Sequence, residues 1–218
     1  MTPLPPLRRI ESSSDPMAEE ALDLLEFLFP PEELEPREVI EAEFDGSLFE
    51  TWIFEDEDEF LGGVVRGRVS PDGSWCWIVH VGLRPDLRGE GWGSQLLLAG
   101  IEALCSTHPD CKGTLLEVER LEDSESEEER VIRAGRLRFF EKLGAKKISS
   151  TYIQDAVREE TGPVPLNLLW LARGNEDMPD FVGLIEDFYS VAFGLEKDHP
   201  YVLCTLGKLS LAEALAES

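Results

Sequence analysis

The residues best equipped for chemistry lie in one stretch, Val81-Gly82-Leu83-Arg84-Pro85-Asp86-Leu87-Arg88-Gly89-Glu90-Gly91-Trp92-Gly93-Ser94. An apolar strand from Trp75 to Leu83 leads into a polar turn that holds Gly89, Gly91 and Gly93. An amphipathic helix is predicted from near Ser94, with Leu97, Ile101 and Leu104 on one face. A strand, a glycine-rich turn and a helix start make an anion site. The first-turn amides have no intrahelical acceptor, and the helix dipole favours negative charge there. Glycines let the backbone come close to a phosphate and take positive φ. The spacing is not the G-x-G-x-x-G of a dinucleotide-binding turn, and no Lys-Ser/Thr follows the glycines as a P-loop would need.

Other reactive side chains are sparse. Cys76, Cys105, Cys111 and Cys204 show no C-x-x-C spacing, and His80, His108 and His199 are scattered, so no metal site is expected. Cys76 and Cys105 fall inside predicted core elements, where a thiol behaves as a small hydrophobe, which points to a reducing, cytoplasmic setting. Met1 to Arg9 lacks the apolar core of a signal peptide, and no apolar run reaches the length of a membrane span, so no membrane partner is expected. With 45 acidic against 20 basic residues the net charge is −25, which excludes non-specific binding to a nucleic-acid backbone and suits a cationic partner.

The elements that position the turn can be read in order. A short strand spans Leu7 to Glu11. A helix starts at Asp15-Pro16 and runs to about Phe29, with Ala21, Leu24, Leu25 and Leu28 on one face, until Pro30-Pro31 stops it. A second helix covers Pro36 to Phe44. Strands are predicted over Leu48–Phe54 and Leu61–Val69, joined by the acidic run Glu55–Glu59, and Pro71-Asp72-Gly73 turns the chain into the strand that ends at Leu83. Thr114–Glu119 is a fifth strand. Six of the eight residues from Glu122 to Glu129 are acidic, a mobile loop or a helical lead-in, and a helix follows from about Arg130 to Leu143, closed by Gly144. Strands Lys146–Val157 and Val164–Ala172 come next. Met178-Pro179-Asp180 opens a helix carrying Phe181, Leu184, Ile185, Phe188 and Ala192, residues 200–206 read equally as strand or helix, and Ser210-x-x-Glu213 is a capping box.

Arg88-x-x-Gly91-x-Gly93 after such a strand resembles the pyrophosphate-binding motif R/Q-x-x-G-x-G/A of the GNAT superfamily of N-acetyltransferases. Phe139-Phe140-Glu141-Lys142-Leu143-Gly144-Ala145 is similar to that family's F-Y-x-K-x-G-F segment. The motifs cover roughly residues 60–150, and the element order extends the likeness over most of the chain. The resemblance implies an α/β fold with a mixed, mostly antiparallel sheet of six or seven strands, helices on both faces and a splay after the fourth strand. It implies a domain over residues 1–175. The remainder, 176–218, is then a helical extension packed on that domain or on a second subunit, which allows a homodimer.

The same resemblance implies acetyl-CoA as cofactor. Arg88, Gly89, Gly91, Trp92, Gly93 and Ser94 would hold the pyrophosphate, the backbone at Val81 and Leu83 would pair with the pantetheine arm, and Phe140 would stand beside the cofactor where many relatives have Tyr. Phe cannot donate a proton, so Tyr152 on the next strand is the substitute acid. The fourth-strand positions where some relatives carry a base are apolar here, Trp77 and Val79, and His80 alternates onto the other face unless a bulge intervenes. Glu117 and Glu119 share one face of the fifth strand, beside the implied splay, and are the candidate bases. Trp52, Trp75, Trp77 and Trp170 could line an acceptor pocket. The implied function is acetyl transfer to a primary amine of a small molecule or peptide, or else a catalytically weak acyl-CoA-binding module, which the missing Tyr would suit.

Overall fold

Alternating and continuous apolar runs build seven strands, and the computed structural model describes residues 3–56, 58–89, 91–158, 160–174 and 179–216. The strands are β1 (Arg8–Ile10), β2 (Glu50–Glu55), β3 (Leu61–Val69), β4 (Cys76–Leu83), β5 (Gly113–Glu119), β6 (Lys146–Gln154) and β7 (Val164–Ala172). They form one mixed, mostly antiparallel sheet in the order β1-β2-β3-β4-β5-β7-β6. The helices are α1 (Ala18–Leu28), α2 (Arg37–Phe44), α3 (Trp92–Leu104), α4 (Glu127–Lys142), α5 (Phe181–Phe193), α6 (Pro200–Thr205) and α7 (Leu211–Ala216). The chain divides into two units: Met1–Val69, Cys76–Cys111 and Val157–Thr161 in the first, and Ser70–Trp75, Lys112–Ala156 and Gly162–Ser218 in the second.

In the first unit, glycines let helices lie against both faces of β3 and β4. A Cβ on Gly82 would come within 2.4 Å of Leu28 in α1, and a Cβ on Gly100 of α3 within 2.6 Å of Val65 in β3. Val64 faces α1 with Ile10, Ile53, Leu22 and Leu25, while its neighbour Val65 faces α3, as the two-residue period of a strand requires. The ladder between β3 and β4 carries a bulge: Arg66 pairs with His80 but Gly67 pairs with Ile78, which leaves Val79 as the extra residue.

The second unit pairs β7 with both β5 and β6, and α5 and α6 cover β6. The Tyr189 hydroxyl donates to the Ile153 carbonyl at 2.8 Å, and the Thr151 hydroxyl donates to the Cys204 carbonyl at 2.8 Å. These side chains satisfy backbone groups of β6 and of α6 away from water.

Several boundaries move for local reasons. α1 begins at Ala18 rather than Pro16, and Asp15 accepts from the Met17 amide at 2.8 Å and pairs with Arg8 just ahead of it. Its fully buried residues are Ala18, Ala21, Leu22 and Leu25, with Leu24 and Leu28 half-buried beside them. α4 begins at Glu127: Ser126 caps it by accepting from the Glu129 amide, and three glutamates of the acidic run sit in the first turn, where the dipole favours them. Residues 200–205 are helical because His199 caps that helix and Pro200 occupies its first position. The expected helix start at Met178 lies outside the described residues, and Asp180 is the N-cap of α5.

Candidate active site

The turn after β4 enters α3 two residues earlier than the expected start near Ser94. Gly91 is the N-cap, left-handed at φ 84°, and Trp92 is the first helical residue. Gly89 is also left-handed, at φ 93°, and a Cβ there would meet nothing within 4 Å, so its glycine answers a backbone need, not crowding. Glu90 lies outside the described residues. The first intrahelical bond runs from the Gln95 amide to the Gly91 carbonyl at 3.5 Å, so the amides of Trp92, Gly93 and Ser94 precede the ladder and end the helix as donors. The exposed Arg88 stands just ahead of them, and Trp92 packs edge-on to Phe54 at 5.6 Å. Val81 and Leu83 alternate, half-buried, with buried His80 and Gly82 along the last half of β4. Two left-handed glycines, an arginine and a row of helix-start amides fit a pyrophosphate.

The second unit brings two of the candidate catalytic residues together. Tyr152 of β6 donates its hydroxyl to Glu117 of β5, reaching past β7, and its ring is buried against Phe188 and Tyr189. Burial first, then the Glu117 charge, pushes the Tyr152 hydroxyl well above the ordinary phenol range, so it stays protonated at neutral pH. Glu119 has a different partner, Arg136 of α4. Phe140 is buried in α4 with its ring edge-on to Phe139 at 5.1 Å. Arg133 of the same helix donates to the Arg120 carbonyl at 2.8 Å. Trp75 and Trp170 line a cleft of about 290 Å³ with Asp72, Lys112, Asp180 and Asp187, and the Trp75 indole donates to Asp187 at 2.7 Å. The other two tryptophans take no part in that cleft: Trp52 donates to Glu50, and Trp77 is buried against Phe49.

The bulge in β4 answers the question about His80. It places His80 opposite Arg66, on the α1 side, 2% exposed and edge-on to Phe29 at 4.5 Å. One ring nitrogen lies 3.3 Å from the Arg66 guanidinium and the other 2.9 Å from the Glu33 carbonyl. A neutral imidazole satisfies both, accepting from Arg66 and donating to Glu33. Burial, with Arg66 adding to it, lowers the His80 pKa to about 4.

Arg66 has no exposed side-chain surface. It binds Glu35 at 3.0 Å and Glu43 at 2.7 Å while its guanidinium lies 4.5 Å over the Phe49 ring. Burial works to raise Glu35, but Arg66 and His80 outweigh it and hold the carboxyl below its usual value. Burial wins at Glu43, which also feels Glu35 and rises. Arg158 ties this loop down from beyond the sheet, donating to the Leu34 carbonyl at 2.6 Å. The sequence reading missed this cluster. Its one visible signal was a pair of arginines, Arg66 and Arg68, alternating inside an otherwise apolar strand.

Comparison with known proteins agrees with this geometry. The sequence model of the Acetyltransferase (GNAT) family matches residues 16–144, and the chain belongs to that family. It is therefore an acetyltransferase of the GNAT type, and its cofactor is acetyl-CoA. Among solved structures it is similar to a protein described as a GNAT-family acetyltransferase from Bacteroides thetaiotaomicron, at 24% identity over 87% of this chain and 99% of that one, with a TM-score of 0.66. An aminoglycoside 6'-N-acetyltransferase solved with coenzyme A shares 16% identity over 80% and 99% of the two chains, with a TM-score of 0.55. Arabidopsis thaliana NAA60, solved with acetyl-CoA, shares 14% identity over 76% and 97%, with a TM-score of 0.53. At these identities the structural likeness shows the shared fold. No curated protein matches the chain significantly by sequence. No helix among the described residues is long and apolar enough to cross a membrane.

Proposed function

We propose that the chain transfers the acetyl group of acetyl-CoA to a primary amine of a small molecule or peptide. The observation that carries this reading is the arginine-glycine turn feeding α3 through a left-handed Gly91. When bound, acetyl-CoA supplies an acetyl group activated as a thioester. The amides of Trp92, Gly93 and Ser94 bind the pyrophosphate, with Gly89 and Gly91 shaping the approach and Arg88 adding a positive charge. The backbone of Val81 and Leu83 orients the pantetheine arm.

An alkyl amine is protonated at neutral pH and must lose a proton before it can attack. Glu117 takes that proton, directly or through a water, and Tyr152 holds the carboxylate in place and is the candidate donor to the departing sulfur. Glu119, engaged by Arg136, takes the lesser part. The net charge of −25 draws cationic acceptors toward the protein. Residues 1–175 are read as the transferase domain and 176–218 as a helical extension on it, with a homodimer allowed.

A second reading, a catalytically weak acyl-CoA-binding module, is favoured by one observation: Phe140 stands where relatives carry a proton-donating Tyr. Release of free thiol separates the two. A panel of polyamines, aminoglycosides, amino acids and lysine peptides is supplied with acetyl-CoA. Amine-dependent thiol release supports the enzyme. Binding of acetyl-CoA without release under any amine supports the module.

A further inference from the structure

Three of the four cysteines converge inside the first unit, Cys76 from well upstream of the other two. Cys76 opens β4, Cys105 follows the last turn of α3, and Cys111 ends the short turn that comes after it. Their exposures are 0%, 1% and 4%. The Cys105 and Cys111 sulfurs lie 3.0 Å apart, and all three sulfurs lie within 4.8 Å of one another. A point equidistant from sulfurs spaced in this way, 3.0 Å on one edge and no more than 4.8 Å on the others, is about 2.5 Å or less from each. A zinc–thiolate bond is about 2.3 Å. Sulfurs bound at that length in a tetrahedral site lie about 3.8 Å apart, so to hold an ion the Cys105–Cys111 edge would open and the longer edges close, each by up to about 1 Å.

We propose that Cys76, Cys105 and Cys111 form a buried site for a thiophilic d10 cation, zinc(II) or copper(I), that ties the start of β4 to the turn after α3. The three soft donors select such ions over calcium or magnesium, which take oxygen. Binding is an acid–base exchange with no redox change. Each ligating thiol gives up its proton to solvent as its sulfur bonds the metal, so a zinc ion with three thiolates carries one net negative charge and releases three protons.

The group that gathers at the site is the three sulfurs alone, so a fourth donor for zinc would have to come from a water or from a movement of His108. His108 sits midway between Cys105 and Cys111, in the order C-x-x-H-x-x-C, and its backbone builds the turn. Its amide donates to the Cys105 carbonyl at 3.0 Å, and its carbonyl accepts from the Cys111 amide at 3.1 Å. Zinc takes four ligands in structural sites, so it needs His108 or a water, whereas copper(I) is content with three sulfurs. The sequence hides this site, because the Cys76–Cys105 separation matches no zinc-ligand spacing.

Because the sulfurs are buried, metal should enter as the chain folds. The test refolds the full chain anaerobically with zinc(II) alone or copper(I) alone, removes loose ions with a chelator, and measures metal per chain by atomic emission and the thermal unfolding midpoint. Cobalt(II) in place of zinc reports thiolate ligation by its charge-transfer absorption. The proposal expects one ion per chain and a raised midpoint, both lost in Cys105→Ser and Cys76→Ala and both kept in Cys204→Ser. Thiol release from acetyl-CoA shows which variants are folded. The proposal is overturned if the parent retains no more of either ion than a folded Cys105→Ser variant. It is equally overturned if mass spectrometry of the natively isolated chain finds a Cys105–Cys111 disulfide in place of bound metal.

Discussion

Replacing Glu117 with Gln tests the proton acceptor while leaving the shape of the strand intact. The glutamine keeps an oxygen that can accept from the Tyr152 hydroxyl, but the bond is no longer charge-assisted. That moves it from the class worth about 1.5–3 kcal/mol to the class worth about 0.5–1.5 kcal/mol, so the variant should lose about 1 kcal/mol of stability. For a chain of this size such a loss lowers the thermal midpoint by roughly 2–4 °C, and the protein stays folded at 25 °C. Catalysis should suffer far more. General-base assistance is worth about 10²–10⁴ in rate, so kcat should fall by roughly 10² or more while the KM for acetyl-CoA hardly moves. Initial rates of thiol release, taken across the pH range with any accepted amine, measure this. Tyr152→Phe is the companion. If Tyr152 only holds Glu117, its kcat falls less than that of Glu117→Gln, and if it protonates the leaving sulfur the two losses are comparable. Parent turnover in Glu117→Gln at every pH would refute the reasoning and make this carboxylate structural.

Two further outcomes concern the buried cluster. Arg66→Ala leaves Glu35 and Glu43 without their shared cation and should cost about 3–5 kcal/mol, read by urea unfolding; a loss under 1 kcal/mol would mean that water already carries those charges. His80 ionises near 6.5 when unfolded but near 4 in the native protein, so between those values the unfolded chain binds a proton that the folded chain refuses. Its contribution is therefore fully present above pH 6.5 and is lost as pH falls toward 4, up to about 3 kcal/mol. His80→Gln, which can still accept from Arg66 and donate to Glu33, should lose less stability than the parent between pH 7 and pH 5, and an equal loss would contradict the assignment.

Much of the fold was legible because its signals are local. Apolar runs located β3 and β7 to the residue, and the turn and capping residues Asp72-Gly73, Gly144 and Ser210-x-x-Glu213 act where they stand. The glycine turn before α3 was legible for the same reason, since glycine spacing and a helix start are contiguous in sequence. What was not legible depends on register. The bulge at Val79 is set by pairing with β3, and it alone decides that His80 faces Arg66. The Tyr152–Glu117 bond joins strands separated by β7, and the sulfurs meet from the start of β4 and the turn after α3. Carboxylate partners were equally hidden: nothing in the spacing of Glu117 and Glu119 says that one meets a tyrosine and the other an arginine.

The central claim is that acetyl-CoA is held at the turn before α3, and calorimetric titration of acetyl-CoA into the parent and into Gly91→Val tests it most directly. Gly91 sits at φ 84°, a conformation that a β-branched residue adopts only with strain, and a side chain there would stand where the phosphates must approach the amides. The expected result is one-to-one binding by the parent and an affinity at least tenfold weaker, about 1.4 kcal/mol, in a variant with unchanged circular dichroism. A folded Gly91→Val protein that binds acetyl-CoA as tightly as the parent would contradict the claim.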